Sequence, residues 1–162
     1  MKYLLPLLLI QITLSCGSSG RFNADKVTAI HYSFYTAGIL SEQHTDYEIY
    51  IKPGEALFVA SSFGTEIERQ STPITDEQMQ SLVETLNKAD LKDGTEKSTQ
   101  GCPKVFDEHL SVFEDNKGVY YSTLSYCYDQ ERPNPESLGD LSASYEAIFK
   151  LVPDLDESEF DS

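Results

Sequence analysis

The chain has 162 residues, 40% of them hydrophobic, and its 27 acidic side chains against 12 basic ones leave a formal net charge of -15. That length suits one domain with one core rather than two. So acidic a chain is a poor partner for nucleic acid, whose phosphates require clustered Lys and Arg, and an anionic lipid surface would repel it unless something covalent held it there.

The first residues form a leader. Met1-Lys2-Tyr3 supplies one positive charge, and Leu4 to Leu14 is apolar apart from Pro6, Gln11 and Thr13. This is the pattern of a signal peptide. The run is about half the length that a membrane-spanning helix needs. Thr13-Leu14-Ser15-Cys16 then places a cysteine directly behind a small residue.

That tetrapeptide resembles the lipobox of bacterial lipoproteins, with Thr13 standing where Leu is usual. The resemblance covers the leader only. It implies cleavage before Cys16, a diacylglyceryl group on its thiol, and fatty chains such as palmitate holding the mature protein to a membrane. Several chains make such an anchor stable, since one alone is marginal. Gly17 occupies the place where Asp would imply inner-membrane retention, so the resemblance implies an outer-membrane anchor facing the periplasm. The expected organisation is a leader over 1–15, a lipidated cysteine and flexible tether over 16–24, one domain over 25–153, and an acidic tail over 154–162. Loss of the leader removes Lys2 and no acid, taking the net charge to -16.

Along the mature chain, residues 27–36 alternate so that Ile30, Tyr32 and Phe34 share a face, the period of a strand. Tyr47, Ile49 and Ile51 repeat the pattern, Pro53-Gly54 is a turn, and Leu57, Val59 and Phe63 resume it, so 46–63 reads as a hairpin. A short strand is expected around Glu66 to Gln70. Thr75 and Gln78 have the spacing of a helix capping box, and Met79, Leu82, Val83 and Leu86 make one apolar stripe behind it. From Asp90 to Glu108 periodicity dissolves and a long loop is expected. Two strands follow, Leu110 to Glu114 and Val119 to Tyr128, joined through Asp115-Asn116-Lys117-Gly118. After the loop at Pro133 and Pro135, Leu141, Tyr145, Ile148, Phe149 and Val152 form a second helical stripe. This order predicts an α+β domain: a single antiparallel sheet of about five or six strands with two helices packed on one face.

With Cys16 given to lipid, Cys102 and Cys127 remain, and an even remainder in an oxidising compartment reads as a disulfide. On the last strand Tyr120, Tyr126 and Tyr128 line one face with Leu124, a possible face for binding protein or peptide. Val119, Tyr121 and Thr123 line the other. His31, His44 and His109 are scattered without metal-ligand spacing, although His31 lies in mid-strand opposite the expected core face. Asp107-Glu108 offers adjacent carboxylates with no evident partner. No GxSxG, HExxH, P-loop or Rossmann pattern occurs, so no catalytic residue, metal site or cofactor is assigned.

The functional expectation is a lipid-anchored binding domain with a protein or peptide ligand, using an exposed sheet face or the loops at 92–107 and 130–139. Two alternatives stand beside it. One is an inhibitor of a secreted hydrolase; the other is a small periplasmic enzyme whose site is assembled from scattered His, Ser and acidic residues.

Overall fold

The computed structural model describes residues 21–38 and 44–152. The leader, Cys16 and the acidic tail lie outside them. The first strand, β1 (Val27–Ala37), buries Ile30, Tyr32 and Phe34 as its alternation requires. Strand β2 (Asp46–Lys52) pairs with it antiparallel, Ile49 opposite Tyr32. Gly54, at φ +89°, turns the chain into β3 (Glu55–Ser62), which completes the expected hairpin but buries Ala56, Phe58 and Ala60 rather than following the expected Leu57, Val59 and Phe63, the last of which is 63% exposed in the turn beyond the strand. Phe63 and Gly64 make the next turn at φ 49° and 77°, a two-residue mirror-image turn whose twist matches that of paired strands. It leads into β4 (Thr65–Pro73), longer than the short strand expected there.

Helix α1 (Asp76–Lys88) begins as its sequence dictates. The Gln78 amide donates to Thr75 Oγ1 at 3.2 Å, and the Thr75 amide donates to Gln78 Oε1 at 2.8 Å, so each side chain satisfies a backbone donor that the first turn leaves open. Met79, Leu82, Val83 and Leu86 are all buried, and each is expected to contribute about 1.5–3 kcal/mol by leaving water.

The segment expected to be a long loop is where the structure departs most from expectation. It holds β5 (Gly94–Ser98) and the first half of β6 (Val105–Glu114). Asp115 and Asn116, at φ 48° and 62°, form the turn into β7 (Lys117–Cys127); Gly118 lies already within the strand. Helix α2 (Leu141–Phe149) closes the described chain, capped by Asp140, whose carboxylate accepts from the Ala143 amide at 3.1 Å.

Among the described residues, seven strands form one sheet in the order β4-β3-β2-β1-β6-β7-β5. Pairing is antiparallel except between β5 and β7, which run parallel. The expected α+β arrangement, five or six antiparallel strands as a single sheet with two helices packed on one face, is therefore incorrect. The sheet is larger, is mixed, and dominates the fold, with helices of only 13 and 9 residues beside it.

The reasons are local. Strand β5 is an edge strand with largely exposed side chains, held by backbone pairing, so Gly-Thr-Glu-Lys-Ser carries no apolar alternation to read. In β6 the alternation exists but is disguised. Phe106, Glu108, Leu110 and Val112 all point to the core, and the carboxylate at 108 breaks the apolar period. Tyr32 on the inner face meets Tyr145 and Phe149 of α2, at ring-centroid distances of 4.8 and 5.4 Å.

Candidate functional site

Because side chains alternate across a strand, every inward Ile30, Tyr32 or Phe34 implies an outward His31, Ser33 or Tyr35. Strand register then aligns these outward residues in rows across β2, β1, β6 and β7. One row is Tyr50, His31, Ser111 and Tyr121; the next is Glu48, Ser33, His109 and Thr123. A third runs Tyr35, Asp107 and Ser125. The outer face of the sheet's centre is thus built from rings, imidazoles, carboxylates and hydroxyls.

The groups are tied to one another. Tyr35 donates to Glu48 Oε1 at 2.8 Å, and Tyr50 donates to Glu48 Oε2. His31 stacks on Tyr50 with ring centroids 4.1 Å apart and planes 6° from parallel. Its Nε2 lies 3.4 Å from Glu48 Oε2, off the angle of a good hydrogen bond. On the other flank, His109 Nδ1 is 2.9 Å from Thr123 Oγ1 and 3.1 Å from the Tyr121 hydroxyl. Ser125 donates to Asp107.

Small residues lie between these flanks. Ser111 separates His31 from Tyr121, and the buried Ser33 separates Glu48 from His109. With about 4.8 Å between strands, the flanking residues of each row stand roughly 10 Å apart at the backbone, but Ser33 is only 2% exposed and Tyr35, bonded to Glu48 with its ring 5.7 Å from that of His109, lies between the flanks of that row. Tyr50 and Tyr121 are 41% and 52% exposed, unusually open for large rings in the body of a sheet.

Electrostatics follow from this packing. Burial pushes the His31 pKa below its usual value, and nearby Glu48 only partly opposes it, so the imidazole is neutral at pH 7. Burial also acts on Glu48, pushing its pKa up, but the hydrogen bonds from Tyr50 and Tyr35 outweigh it and hold the carboxyl below its usual range. The Tyr50 and Tyr35 hydroxyls are pushed up by burial and by the same carboxylate.

The tyrosines singled out in the sequence are placed differently. Tyr120 and Tyr126 are 2% and 4% exposed and belong to the core, so the face they share is the inner one. Tyr128 is half-buried against Phe106, with the Lys104 ammonium 5.0 Å from its ring. Of that strand, Tyr121 faces outward. Asp107 and Glu108 lie on opposite faces, Asp107 in the outer array and Glu108 in the core. His44 sits away from the array, stacked on Phe63 at 4.5 Å. Cys102 and Cys127 form a disulfide, their Cα atoms 5.5 Å apart.

A second polar cluster lies inside. Glu108 is fully buried, and its Oε1 accepts from the Tyr126 hydroxyl at 2.6 Å and from Arg132 Nε at 2.8 Å. Arg132 also lies over the Tyr145 ring, 5.2 Å from its centroid. The cluster pins the loop after β7 to the core, which accounts for Glu108 without invoking chemistry. The outer array follows from the pairing of β1 with β2 and β6, and the inner cluster from that of β6 with β7, and pairing cannot be read from one strand at a time. Among the described residues, no group of three or more His, Cys, Asp and Glu side chains is arranged to hold a metal ion. Among the same residues, no helix is long and apolar enough to cross a membrane.

No protein-family model matches the chain, and no curated protein matches it either. Among solved structures, sheep galectin-11 in complex with glycerol is similar at 10% identity and a TM-score of 0.25, over 59% of this chain and 58% of that one. The chain therefore spans less than two thirds of that protein, and a likeness so slight carries nothing about fold or activity.

Proposed function

We propose that this protein is a lipid-anchored envelope protein whose domain binds a protein or peptide ligand through the outer face of its sheet. The leader and Cys16 support the anchor, through their resemblance to a lipobox. The array of His31, Glu48, Tyr50, His109 and Tyr121 supports the binding face. The single observation that carries the reading is the pair of half-open tyrosines, Tyr50 and Tyr121, standing at the two ends of one polar row away from the core. Tyr offers contact area and a hydroxyl at low entropic cost, which is what recognition surfaces use.

The test is affinity capture from envelope extracts with the full detergent-solubilised chain, run beside Tyr50→Ala and Tyr121→Ala variants of unchanged melting temperature. A partner held by the native protein and lost from both variants supports the reading. A partner retained by both would place recognition elsewhere.

A second reading, a small envelope enzyme, is favoured by one contact, that of His109 Nδ1 with Thr123 Oγ1 at 2.9 Å, an imidazole beside a hydroxyl. Thr123 is only 8% exposed, however, and its hydroxyl donates to that of Tyr121 at 3.1 Å. A substrate would have to displace Tyr121 to reach it. Turnover of ester or amide substrates that vanishes with His109→Ala would bring this reading forward.

A further inference from the structure

The chain enters the domain through three docked residues. The Arg21 guanidinium lies 5.6 Å from the ring centroid of Phe22 and 5.1 Å from that of Tyr120, donates to the Leu91 carbonyl at 2.7 Å and to the Val119 carbonyl at 3.2 Å, and pairs with Asp93. Phe22 is 4% exposed; its amide donates to Asn87 Oδ1 at 2.7 Å and its carbonyl accepts from Asn87 Nδ2 at 2.9 Å. The Asn23 amide donates to Glu114 at 2.6 Å. Residues 21–23 are thereby tied to α1, to the segment before β5, and to β6 and β7. Whatever precedes Arg21 leaves the domain at one fixed place, beside the start of β7.

That place sets a geometric limit. Asp93, which holds Arg21, also accepts from the Tyr121 amide at 2.8 Å, so Arg21 is fixed at the Lys117 end of the strand. The disulfide of Cys102 and Cys127 marks the other end. Eight residues separate Val119 from Cys127, about 27 Å of strand. Cys16 precedes Arg21 by five residues, which at full stretch span at most about 18 Å. With Cys16 held in a bilayer, standing the domain on its disulfide end would lift Arg21 by the whole length of the strand, beyond the reach of that link. Laying a face on the lipid would press an acidic domain, of net charge -15 over the whole chain, against a surface that anionic lipids make negative.

We propose that residues 21–23 are a fixed joint that orients the domain on the membrane, with the turn at Asp115 and Asn116 toward the lipid headgroups and the disulfide end toward the aqueous space. This rests on the lipidation of Cys16 and goes beyond it by assigning the end of the domain that meets the bilayer. Both faces of the sheet then stand clear of the lipid, and a partner approaches from the disulfide end or from the side.

The experiment is resonance energy transfer from the full processed protein, added to preformed vesicles of phosphatidylethanolamine and phosphatidylglycerol, to an acceptor on the lipid headgroups. A fluorophore is attached through an azide-bearing amino acid in place of Lys117 or of Gln130, both exposed and at opposite ends of β7. The acceptor is chosen so that its Förster distance is comparable with the strand. A second form of each protein carries about twenty Gly and Ser residues inserted between Gly17 and Ser18, which adds up to about 70 Å of reach and leaves the domain untouched. Transfer from position 117 should exceed that from position 130 at least about twofold, because about 30 Å of strand separates them, and the two should converge once the link is lengthened. Equal transfer from both positions, or more from 130, would overturn the inference. So would a preference that survives the insertion, since surface contacts and not the joint would then set the orientation. Mass spectrometry of the same samples separates the two failures. An unmodified amino terminus would remove the anchor and the orientation together, whereas acylated protein with equal transfer would remove the orientation alone.

Discussion

His31 and Tyr50 lie face to face on neighbouring strands, their rings 6° from parallel with centroids 4.1 Å apart, and the carboxylate of Glu48 joins them at its Oε2 edge. The stack half-buries the imidazole and leaves the tyrosine open on its far side. One ring is thus held still and presented to solvent by another, with the negative charge of Glu48 fixed beside them.

This arrangement has a consequence for acid stability. The folded-state pKa of His31 is depressed below 6.5, so the unfolded chain takes up its proton first as pH falls. Stability is full above pH 6.5, declines as pH falls from there to the folded pKa, and is then flat with respect to this group. Glu48, also depressed, adds a second loss as pH falls from 4.5 through its own folded value. Melting temperature measured from pH 8 to pH 3 should fall in two steps, and His31→Gln should abolish the upper one. An upper step unchanged in the variant would assign it to another group.

The Glu108–Arg132 pair makes a separate prediction. Removing the arginine leaves a fully buried carboxylate supported only by Tyr126. Arg132→Met should therefore cost about 3 kcal/mol, the low end for breaking a buried pair, because its own side chain is one-third exposed. The double variant Glu108→Leu with Arg132→Met should recover most of that loss. Denaturant titration measures both, and a loss under 1 kcal/mol in the single variant would show that the pair does not hold the loop.

The disulfide spans 25 positions and joins the segment after β5 to the end of β7. Cys102→Ser should lower stability by about 3–4 kcal/mol in the chain-entropy model. The difference should disappear when both proteins are melted under reducing conditions. A variant that melts with the native protein under oxidising conditions would say that the thiols are unpaired in solution.

Lipidation is tested apart from the fold. Cys16→Ala should move the protein from the membrane fraction to the soluble fraction or leave it with its leader attached. Mass spectrometry of the native protein should find acyl chains on an amino-terminal cysteine. Unchanged membrane retention of the variant would remove the anchor from the account.

What could be read in the chain follows from what each element needs. Strand β2 and helix α1 were legible because each buries an apolar face of its own, written in Tyr47, Ile49 and Ile51 and in Met79, Leu82, Val83 and Leu86, whereas β3 was read from Leu57 and Val59 although small Ala56 and Ala60 flank Phe58 on its buried face. Strand β5 was not, because an edge strand needs only a neighbour's backbone. Half of β6 was hidden by Glu108, an inward charge whose justification, Arg132, lies 24 residues away. Tyr120 and Tyr126 were assigned to the wrong side because Tyr suits either face of a sheet, and their partners in the core come from other strands. Of the outer array, His31 and the shared face of Tyr121 and Thr123 were legible; their union with Glu48 and His109 depends on register, which no single strand encodes.

The binding role of the outer face is tested most directly by photo-crosslinking in intact cells, with Tyr121 replaced by benzoylphenylalanine and the same probe placed at Glu84 on α1 as the comparison. A discrete adduct from position 121, with none from position 84, is expected. No adduct from 121, or one from 84 alone, would contradict the assignment of this face.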